Sequence, residues 1–514
     1  MAVCKSNKID SNVTGLRFAE EECLGLLPSS PTWHPLEPNS YSDFGGQITT
    51  VARNPINQSR QRKKGVTTDL EASGGFNQDF TFSNTTRLLQ GFLFADIRSK
   101  GGNEYFGRSY LTIGMDATQG IGVQGTAATY FAVGQLVRLS GFVSDKNNGL
   151  KTINGVSGAF ASVEGAVEAA TASTTHLAKV VGHRFGKGQL AFSVNTDGRI
   201  SLSSANSELP RYIQNSLLPG EWVYFGSDTE VCRMAKNNGF ARVHSVNSRF
   251  IYFDKYTWTP DKNETATEKF LEIYFADTLR NELDYSLIKR RSYQLERTLG
   301  SDQNGQMSEY LVGAIPNEAT INIAQADKIN IDLSFVATDN EQRTGEQGVK
   351  TGDRPELKPE TAFNTSSDFA RIRLSEVKNG IASDKPLFAY ATELSISINN
   401  NVTPTKAVGV LGAIDASVGT FEVGGNITAY FADVDAMKAV RNNADITLDV
   451  VMIKEGKAVV IDVPLMALGN GRLSVEQDQA ITIPLEINAA QSAFGHTLMW
   501  QFFSDLPKAA TERK

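Results

Sequence analysis

Apolar and polar residues alternate along several stretches of the chain, a pattern typical of β-strands that bury one face. One strand is predicted over residues 47–54, and strand character resumes from residue 66 to residue 83. Between them lies the basic run SRQRKK at 59–64, which Gly65 closes. A polar run between two strand patterns predicts the tip of a long hairpin.

A short helix is predicted behind this hairpin, within a first unit that covers residues 36–103. Asn84 is the expected N-cap, and apolar residues recur behind it at helical spacing, namely Leu88, Leu89, Phe92 and Leu93. Strand alternation returns over 286–300 and 319–339, so residues 273–339 are predicted to complete a ββαββ unit. The alternating apolar positions of the last stretch are Ile321, Ile323, Ile329, Ile331 and Leu333.

Residues 386–514 repeat this plan, with strand patterns on both sides of a short helix capped by Asp433. The segment LEASGGF at 70–76 also aligns with IDASVGTF at 414–421. Matching letters and a matching order of elements favour internal duplication over coincidence. Residues 340–385 are polar and contain Gly and Pro, so a linker or long exposed loop is expected there.

The stretch 104–272 has a different character, with short β-rich runs between Gly and Asn turns. GQLVRLSG at 134–141 followed by Asn-Asn-Gly matches GEWVYFGS at 220–227, which Asn-Asn-Gly also follows. This repeat predicts two inserted β-modules, at about 104–185 and 186–272, that project outward as decoration. Residues 1–35 are predicted to be an N-terminal arm, with a short helix within 14–27 that Pro28 ends.

Composition excludes several classes of protein. The chain has 514 residues, 57 acidic against 50 basic, so whole-chain electrostatic capture of DNA is not expected. Three scattered cysteines indicate neither a disulfide framework nor a zinc cluster, which fits synthesis in a reducing cytoplasm. The first residues contain no apolar core and no later apolar run is long enough to span a membrane, so neither a signal peptide nor a transmembrane helix is expected. A folded, turn-rich, mainly β protein without a membrane partner is predicted.

Catalytic and cofactor motifs are not supported by their contexts. Gly120, Gly122 and Gly125 spell the dinucleotide fingerprint G-x-G-x-x-G, but a β-rich segment follows where a helix is required. The five histidines lack metal-ligand spacing, and no nucleophile motif is present. We therefore predict no enzyme activity, no cofactor and no metal site.

Two groups of charged residues remain as candidates for a functional role. The basic hairpin tip is more consistent with docking to an acidic neighbouring subunit than with a nucleic-acid patch, because its footprint is small; its residues are Arg60, Arg62, Lys63 and Lys64. Four carboxylates near the repeated motif either mark a functional face or simply the wet face of a sheet; they are Glu71, Asp79, Asp415 and Glu422.

Several stretches resemble tail tube proteins of bacteriophages with long, non-contractile tails. At the N-terminal side these are residues 33–65, WHPLEPNSYSDFGGQITTVARNPINQSRQRKKG, with EASGGFNQD after them. The later ones are IKRRSYQLERTLG (288–300), ISINNNV (396–402), GTFEVGGNITAYFAD (419–433) and TLMWQFFSDLP (497–507). The resemblance covers roughly 30–100 and 280–510, whereas the inserted modules depart from the usual short members of the family.

This resemblance implies a virion protein, made in the host bacterial cytoplasm, whose sheets close into a ring-shaped β-barrel. Stacked rings would form the hollow tube that conducts genomic DNA, with the four carboxylates facing the lumen and the basic hairpin between rings. Implied partners are further copies of the chain, the tape measure protein, the tail terminator and distal tail proteins, and transiently DNA. The duplication favours three chains per ring over six. The alternative is a tail-fibre or host-surface-binding protein of tandem immunoglobulin-like modules.

Overall fold

The computed structural model describes residues 9–56, 58–105, 108–195, 199–204, 208–264, 269–302, 305–378 and 380–510. Residues 1–8 of the predicted arm lie outside this part of the chain. The described chain is mainly β with a few short helices, which confirms the predicted fold class at that level. Its strands belong mostly to two large antiparallel sheets.

The elements before the insertion are β1 (Thr14–Glu20), β2 (His34–Leu36), β3 (Pro38–Arg53), β4 (Lys63–Asp79) and α1 (Thr86–Leu93). The insertion contains β5 (Glu104–Tyr105), β6 (Arg108–Ser109), β7 (Ile113–Asp116), β8 (Gly120–Val123), β9 (Gln135–Ser140), β10 (Gly149–Ser157), β11 (Phe160–Val163), β12 (Ala170–Ser173), β13 (Leu177–Phe185), β14 (Leu190–Val194), β15 (Ile200–Ser204), α2 (Arg211–Ser216), β16 (Trp222–Phe225), β17 (Gly239–Val246), β18 (Phe250–Tyr256) and β19 (Leu271–Tyr274).

After the insertion come β20 (Asp277–Arg280), β21 (Tyr293–Ser301), β22 (Gln306–Ala324), β23 (Asn330–Ala337), β24 (Asp339–Arg343), β25 (Phe369–Lys378), β26 (Ile381–Pro386), β27 (Ala391–Asn399), β28 (Thr403–Lys406), β29 (Ala413–Ser417), β30 (Glu422–Tyr430), α3 (Asp435–Arg441), β31 (Ile446–Lys454), β32 (Lys457–Asn470), β33 (Thr482–Ala489) and β34 (Met499–Phe503).

Two groups of elements have the same pairing order. In the first set, antiparallel neighbours run β3, β4, β23, β22, β21, β1, and β1 also pairs with β2. In the second set they run β27, β30, β33, β32, β31, β25, and β25 also pairs with β26. A helix follows the second long strand in each set, α1 after β4 and α3 after β30.

The two sets join edge to edge through β22 and β27. Residues 318–324 of β22 pair with 393–399 of β27, while 318–322 of the same strand also pair with β23. The strands β3, β4, β23, β22, β27, β30, β33 and β32 therefore form one continuous antiparallel sheet, which we call the eight-stranded sheet.

One face of the eight-stranded sheet is buried under the helices and the other strands of both sets. The alternating residues predicted to be apolar core, such as Ile321, Ile331 and Leu333, lie on this face and are buried. The predicted helix residues Leu88, Leu89 and Phe92 pack on them, so the helix face is confirmed. The helix itself begins at Thr86 with Thr85 as its N-cap, whereas Asn84 bonds to the turn before it.

Two segments of the chain differ from the prediction in the same way. Residues 14–20 form strand β1 and not a helix, because they pair along their whole length with β21. Much of the stretch 340–385, expected to be linker, forms strands, chiefly β25 and β26, the counterparts of β1 and β2. In both cases long-range pairing of strands outweighs a weak local preference.

The similar sequences at 70–76 and 414–421 do not occupy equivalent positions in the two sets of strands. LEASGGF lies inside β4, whereas IDASVGTF forms β29 and the link to β30. The strand that occupies the position of β4 in the second set is β30. The repeat is carried by the order of pairing and not by this motif.

The insert, defined as residues 104–272, contributes most of a second, thirteen-stranded sheet with the order β12-β7-β8-β11-β10-β9-β13-β19-β16-β17-β18-β15-β14. It contains two buried apolar clusters, one formed by residues between 113 and 180 and the other by residues between 185 and 275. Gly149 and Gly239 of the two Asn-Asn-Gly turns both have positive φ, as the repeat requires.

A buried interface joins the insert to the second set. Apolar side chains from both sides share one cluster, which is formed by Leu136, Val181, Trp222, Tyr224, Phe240, Tyr274, Ala276, Val451, Ala458, Val460, Met499, Phe503 and Leu506. Beside it, Arg242 of β17 forms ion pairs with Asp254 at 2.6 Å and with Asp462 of β32 at 3.3 Å. The insert therefore covers apolar surface of the second set, whereas its outward projection as decoration stays a prediction.

A second charge pair crosses the same interface. The Nζ of Lys255 in β18 lies 2.5 Å from Asp449 of β31, and the Nε of Arg371 lies 2.7 Å from the other oxygen of that carboxylate. Burial opposes ionisation of Asp449, but Lys255 and Arg371 hold its pKa below the usual range. The carboxylate therefore stays charged within the protein.

Two buried histidines predict a loss of stability in mild acid. Burial lowers the pKa of His183 and of His496 to about 3, and Arg280 and Arg242 further disfavour charge on His496. The unfolded chain takes up these protons near pH 6.5, so stability falls as pH drops from there toward 3. We expect a loss of about 2 kcal/mol per histidine between pH 7.5 and 5. Denaturant unfolding at both pH values measures it, and the variant His496→Gln should lose roughly half of the dependence.

Candidate functional site

The face of the eight-stranded sheet turned away from the core is polar across its whole width. Strand alternation places on it, for example, Asn77 of β4, Thr320 of β22 and Ser397 of β27, which are cross-strand neighbours through Asp332 of β23. We call this surface the polar face. Most of its residues are Ser, Thr, Asn and Gly, which are small, so the surface is nearly flat.

Every charged side chain on the polar face is acidic in the segments where its strands pair with each other. These segments are 71–79, 318–324, 330–336, 393–399, 422–430, 467–469 and 482–488. Its carboxylates are Glu71, Asp79, Glu318, Asp332, Glu393, Glu422 and Glu486. No lysine or arginine occupies the face in these described segments. The surface therefore presents hydrogen-bonding groups and a net negative charge, and the two lysines at its margins, Lys406 and Lys328, are paired with Glu71 and Asp79.

Amide side chains hold part of this face in place. Asn77 donates from Nδ2 to Asn330 at 2.9 Å and to Asp332 at 2.8 Å, and Asn322 donates to the same two residues at 3.1 and 2.6 Å. Asn39 bonds to Asn77 and Asp79 at the sheet edge. These bonds cross four neighbouring strands, which makes the face rigid as well as polar.

Three of the four carboxylates singled out in the sequence lie on the polar face. Glu71 accepts from Lys406 at 3.2 Å, Asp79 pairs with Lys328 at 2.7 Å, and Glu422 is exposed opposite Asn399. Asp415 instead lies on β29, outside the eight-stranded sheet, where it pairs with Arg290 at 2.8 Å. The Ala416 backbone N–H and then Arg290 lower the pKa of Asp415.

Sequence reasoning missed Glu318, Asp332, Glu393 and Glu486, which share this face. The signal was present in the alternation of ATINI at 319–323 and ELSISIN at 393–399, where polar and apolar residues alternate. The repeated motif points only to the carboxylates near it, whereas the alternation in each strand identifies the whole face.

The predicted basic hairpin is formed by β3 and β4, which pair from Pro38 to Arg53. Its tip projects beyond the eight-stranded sheet, and all four candidate residues are exposed there, with Arg60 at positive φ. The sequence 53–64 carries no acidic residue. The tip is therefore a compact, solvated patch of positive charge.

A second hairpin, β28 and β29, occupies the corresponding place in the second set, between β27 and β30. It packs beside the first hairpin, because Lys406 reaches Asp69 at 2.5 Å as well as Glu71. Its turn carries exposed apolar residues in place of the basic ones.

The two outer strands of the eight-stranded sheet have unused edges. In the described part of the chain β3 pairs with β4 alone, and residues 467–470 of β32 pair with β33 alone. Inside the chain the same kind of edge on β22 is covered by β27. Exposed strand edges invite pairing with another chain.

The remaining motifs do not gather into a reactive centre. Gly120 and Gly122 lie in strand β8, and only a three-residue 3-10 helix, Ala127–Thr129, follows where the dinucleotide fingerprint requires an α-helix. Among the described residues, no group of three or more His, Cys, Asp or Glu side chains could hold a metal ion. The helices of this described part are also too short or too polar to cross a membrane.

These surfaces define a mainly β structural protein, whose distinguishing features are sheet edges, hairpin tips and one polar acidic face. The chain belongs to the phage tail tube protein family, whose family model matches residues 11–489. It is thus a structural protein of the bacteriophage virion tail, as the resemblance implied. No curated protein matches the chain significantly.

Proposed function

We propose that this chain assembles with copies of itself into stacked rings, and that the stacked rings form the hollow tail tube that conducts genomic DNA during ejection. The observation that carries this proposal is the eight-stranded sheet, in which two sets with the same pairing order lie side by side with a free edge at each end. A duplicated unit that continues its own sheet is suited to cyclic closure.

The internal junction supplies the template for contact between chains. β22 of the first set pairs with β27 of the second, so the equivalent strand β32 should pair with β3 of the next chain. Residues 467–470 of β32 and the first half of β3 are the edges that meet. Three chains then present six equivalent sets in a ring of pseudo-sixfold symmetry, which leaves no edge of the eight-stranded sheet exposed.

In such a ring the polar face lines the lumen. The net negative charge of its carboxylates, including Glu71, Asp79 and Glu422, repels the phosphates of DNA, although Lys406 and Lys328 offset part of the charge of Glu71 and Asp79. DNA contact is then transient and non-specific. Asp415 serves a different purpose in this arrangement, since its pairing with Arg290 fixes the second hairpin.

The further partners follow from the tube itself. A tape measure protein would occupy the lumen before DNA enters, and tail terminator and distal tail proteins would cover the free ends of the tube. The chain would be made in the cytoplasm of the bacterial host and incorporated into the virion there.

Electron cryo-microscopy of the purified chain tests the proposal. We expect hollow tubes of constant width whose rings contain three copies and whose lumen is lined by Glu318, Asp332 and Glu486. Strict sixfold symmetry with six copies would overturn the three-chain ring and leave the tube intact. A chain that stays monomeric at all concentrations and salt conditions would overturn the tube.

The basic hairpin is proposed to contact the adjoining ring. The end of the sheet opposite this hairpin carries exposed acidic residues, among them Asp327, Glu476 and Asp478, so stacking brings opposite charges together. Replacing Arg60, Arg62, Lys63 and Lys64 by serine should slow tube growth about tenfold at low salt and weaken its salt dependence.

Light scattering during polymerisation measures this effect. The matched control replaces Lys146 and Lys236 by serine, two lysines of the insert whose side chains are 64% and 69% exposed. If the hairpin variant and the control grow equally fast at every salt concentration, the hairpin does not stack rings.

A further inference from the structure

The turn of the second hairpin exposes a run of apolar side chains between Lys406 and Asp415. Residues 407–414 read AVGVLGAI, and Val408, Val410, Leu411 and Ile414 are all exposed, Val408 completely. We call this segment the apolar loop. An exposed apolar tip of this kind marks a surface that another protein covers.

The apolar loop is held in a fixed position. The backbone N–H of Ala413 donates to the Thr338 carbonyl at 3.2 Å, and Lys406 and Asp415 on the two strands form the ion pairs described above. Val402 and Ala416 at the base of the hairpin are buried against Phe94 and Ile315. A preformed loop loses little conformational freedom when it binds, which favours a docking role.

A second exposed apolar surface lies at the other end of the same strands. Tyr390, Tyr430, Val475 and Ile481 are exposed, with Tyr390 at 74% and Val475 at 69%. Backbone hydrogen bonds bring these residues near one another. The Tyr430 N–H donates to the Tyr390 carbonyl at 3.1 Å, and the Phe431 N–H donates to the Ile481 carbonyl at 2.9 Å. An isolated β-bridge between Ser474 and Thr482 places Val475, the residue after Ser474, near Ile481. We call these four residues the end patch.

The apolar loop and the end patch lie at opposite ends of the strand pair β27–β30. Asn399 faces Glu422 at the end that continues into the loop, and Ala391 faces Ala429 at the end that carries the patch. Contact between two different surfaces of identical copies is heterologous and extends without limit along an axis when it does not close. Charged residues are distributed between the same two ends of the sheet. The basic tip of the first hairpin lies at the end with the apolar loop, and exposed acidic residues such as Asp327 and Asp478 lie at the end with the patch.

We propose that the apolar loop of one copy docks on the end patch of a second copy in the next ring, which rests on the proposed tube function. The two hairpins of the chain then divide the stacking contact between them. The first brings positive charge, which steers approach and sets register, and the second buries apolar surface, which holds the rings together.

The test compares Leu411→Asp with Val143→Asp, because Val143 is a fully exposed apolar residue of the insert. We expect the first variant to form rings but to need at least about tenfold more protein for tube growth, as desolvating a carboxylate opposes docking. The Val143→Asp variant should polymerise like the unmodified chain. Equal growth of both variants in conditions where the unmodified chain forms tubes would overturn this contact and leave the tube function standing.

Rescue separates docking from any effect on folding. Leu411→Lys should impair growth, and adding Val475→Glu in the same chain should restore it by about tenfold, since the new charges meet only between copies. A pair of cysteines, Leu411→Cys with Val475→Cys, should give disulfide-linked chains longer than one ring under oxidation, whereas either single variant should not. Tubes that grow without this cross-link, or without rescue by the charge pair, would exclude the contact.

Discussion

Removal of residues 104–272 is expected to yield a chain that aggregates and forms no tubes. The insert covers Val451 of β31, Val460 of β32, and Met499 and Phe503 of β34, which are at most 1% exposed in the intact chain. Exposing each such side chain costs about 1.5–3 kcal/mol, and together they form one apolar patch. This loss is comparable to the whole stability of an ordinary domain.

Sedimentation and dye binding of the excised chain, with residues 103 and 273 joined by a short Gly-Ser link, measure the effect. A matched variant of the excised chain carries Val451→Thr and Val460→Lys, which should recover part of the solubility if exposed apolar surface is the cause. A soluble excised chain that still assembles into tubes would show that the insert is decoration only.

The Arg242→Met variant is expected to lose about 3–5 kcal/mol of unfolding free energy. Arg242 is buried between Asp254 and Asp462, so its removal leaves two carboxylates in the interior without their cation. The penalty arises from these uncompensated charges and not from the loss of an attractive contact alone. Denaturant unfolding of the unassembled chain at pH 7.5 measures it.

The control is Lys236→Ala, since Lys236 forms a surface ion pair with Asp261 and has a side chain 69% exposed. An exposed pair of this kind contributes less than about 1 kcal/mol. Adding Asp254→Asn and Asp462→Asn to Arg242→Met should recover part of the lost stability, because neutral amides need no cation. If Arg242→Met and Lys236→Ala cost the same, the buried network does not anchor the insert.

Much of the functional surface was predictable from local pattern. The alternation of apolar and polar residues in β22, β23 and β27 identifies the buried face through Ile321, Ile331 and Ile396, and by exclusion the polar one. The turn-forming run with basic residues likewise identified the first hairpin, and the spacing of Leu88, Leu89 and Phe92 identified the buried side of α1. These features depend on neighbours in the sequence, which is why the sequence alone specifies them.

Other features depended on partners far away along the chain. Residues 14–20 and 369–378 have no strong local preference, and they become strands because β21 and β31 offer them an edge. The sequence also could not show that the insert is joined to the second set, because Arg242 and Asp462 are 220 positions apart. Only the tertiary structure brings such groups together.

The sequence by itself determined which face of each strand is polar, where the chain turns and that the chain contains a repeated plan. The tertiary structure decided which strands are neighbours, and so that the two sets share one sheet through β22 and β27 and leave β3 and β32 as its edges. The physical reason is that side-chain alternation follows from local backbone geometry, whereas the choice of a partner strand is a long-range competition among many similar edges.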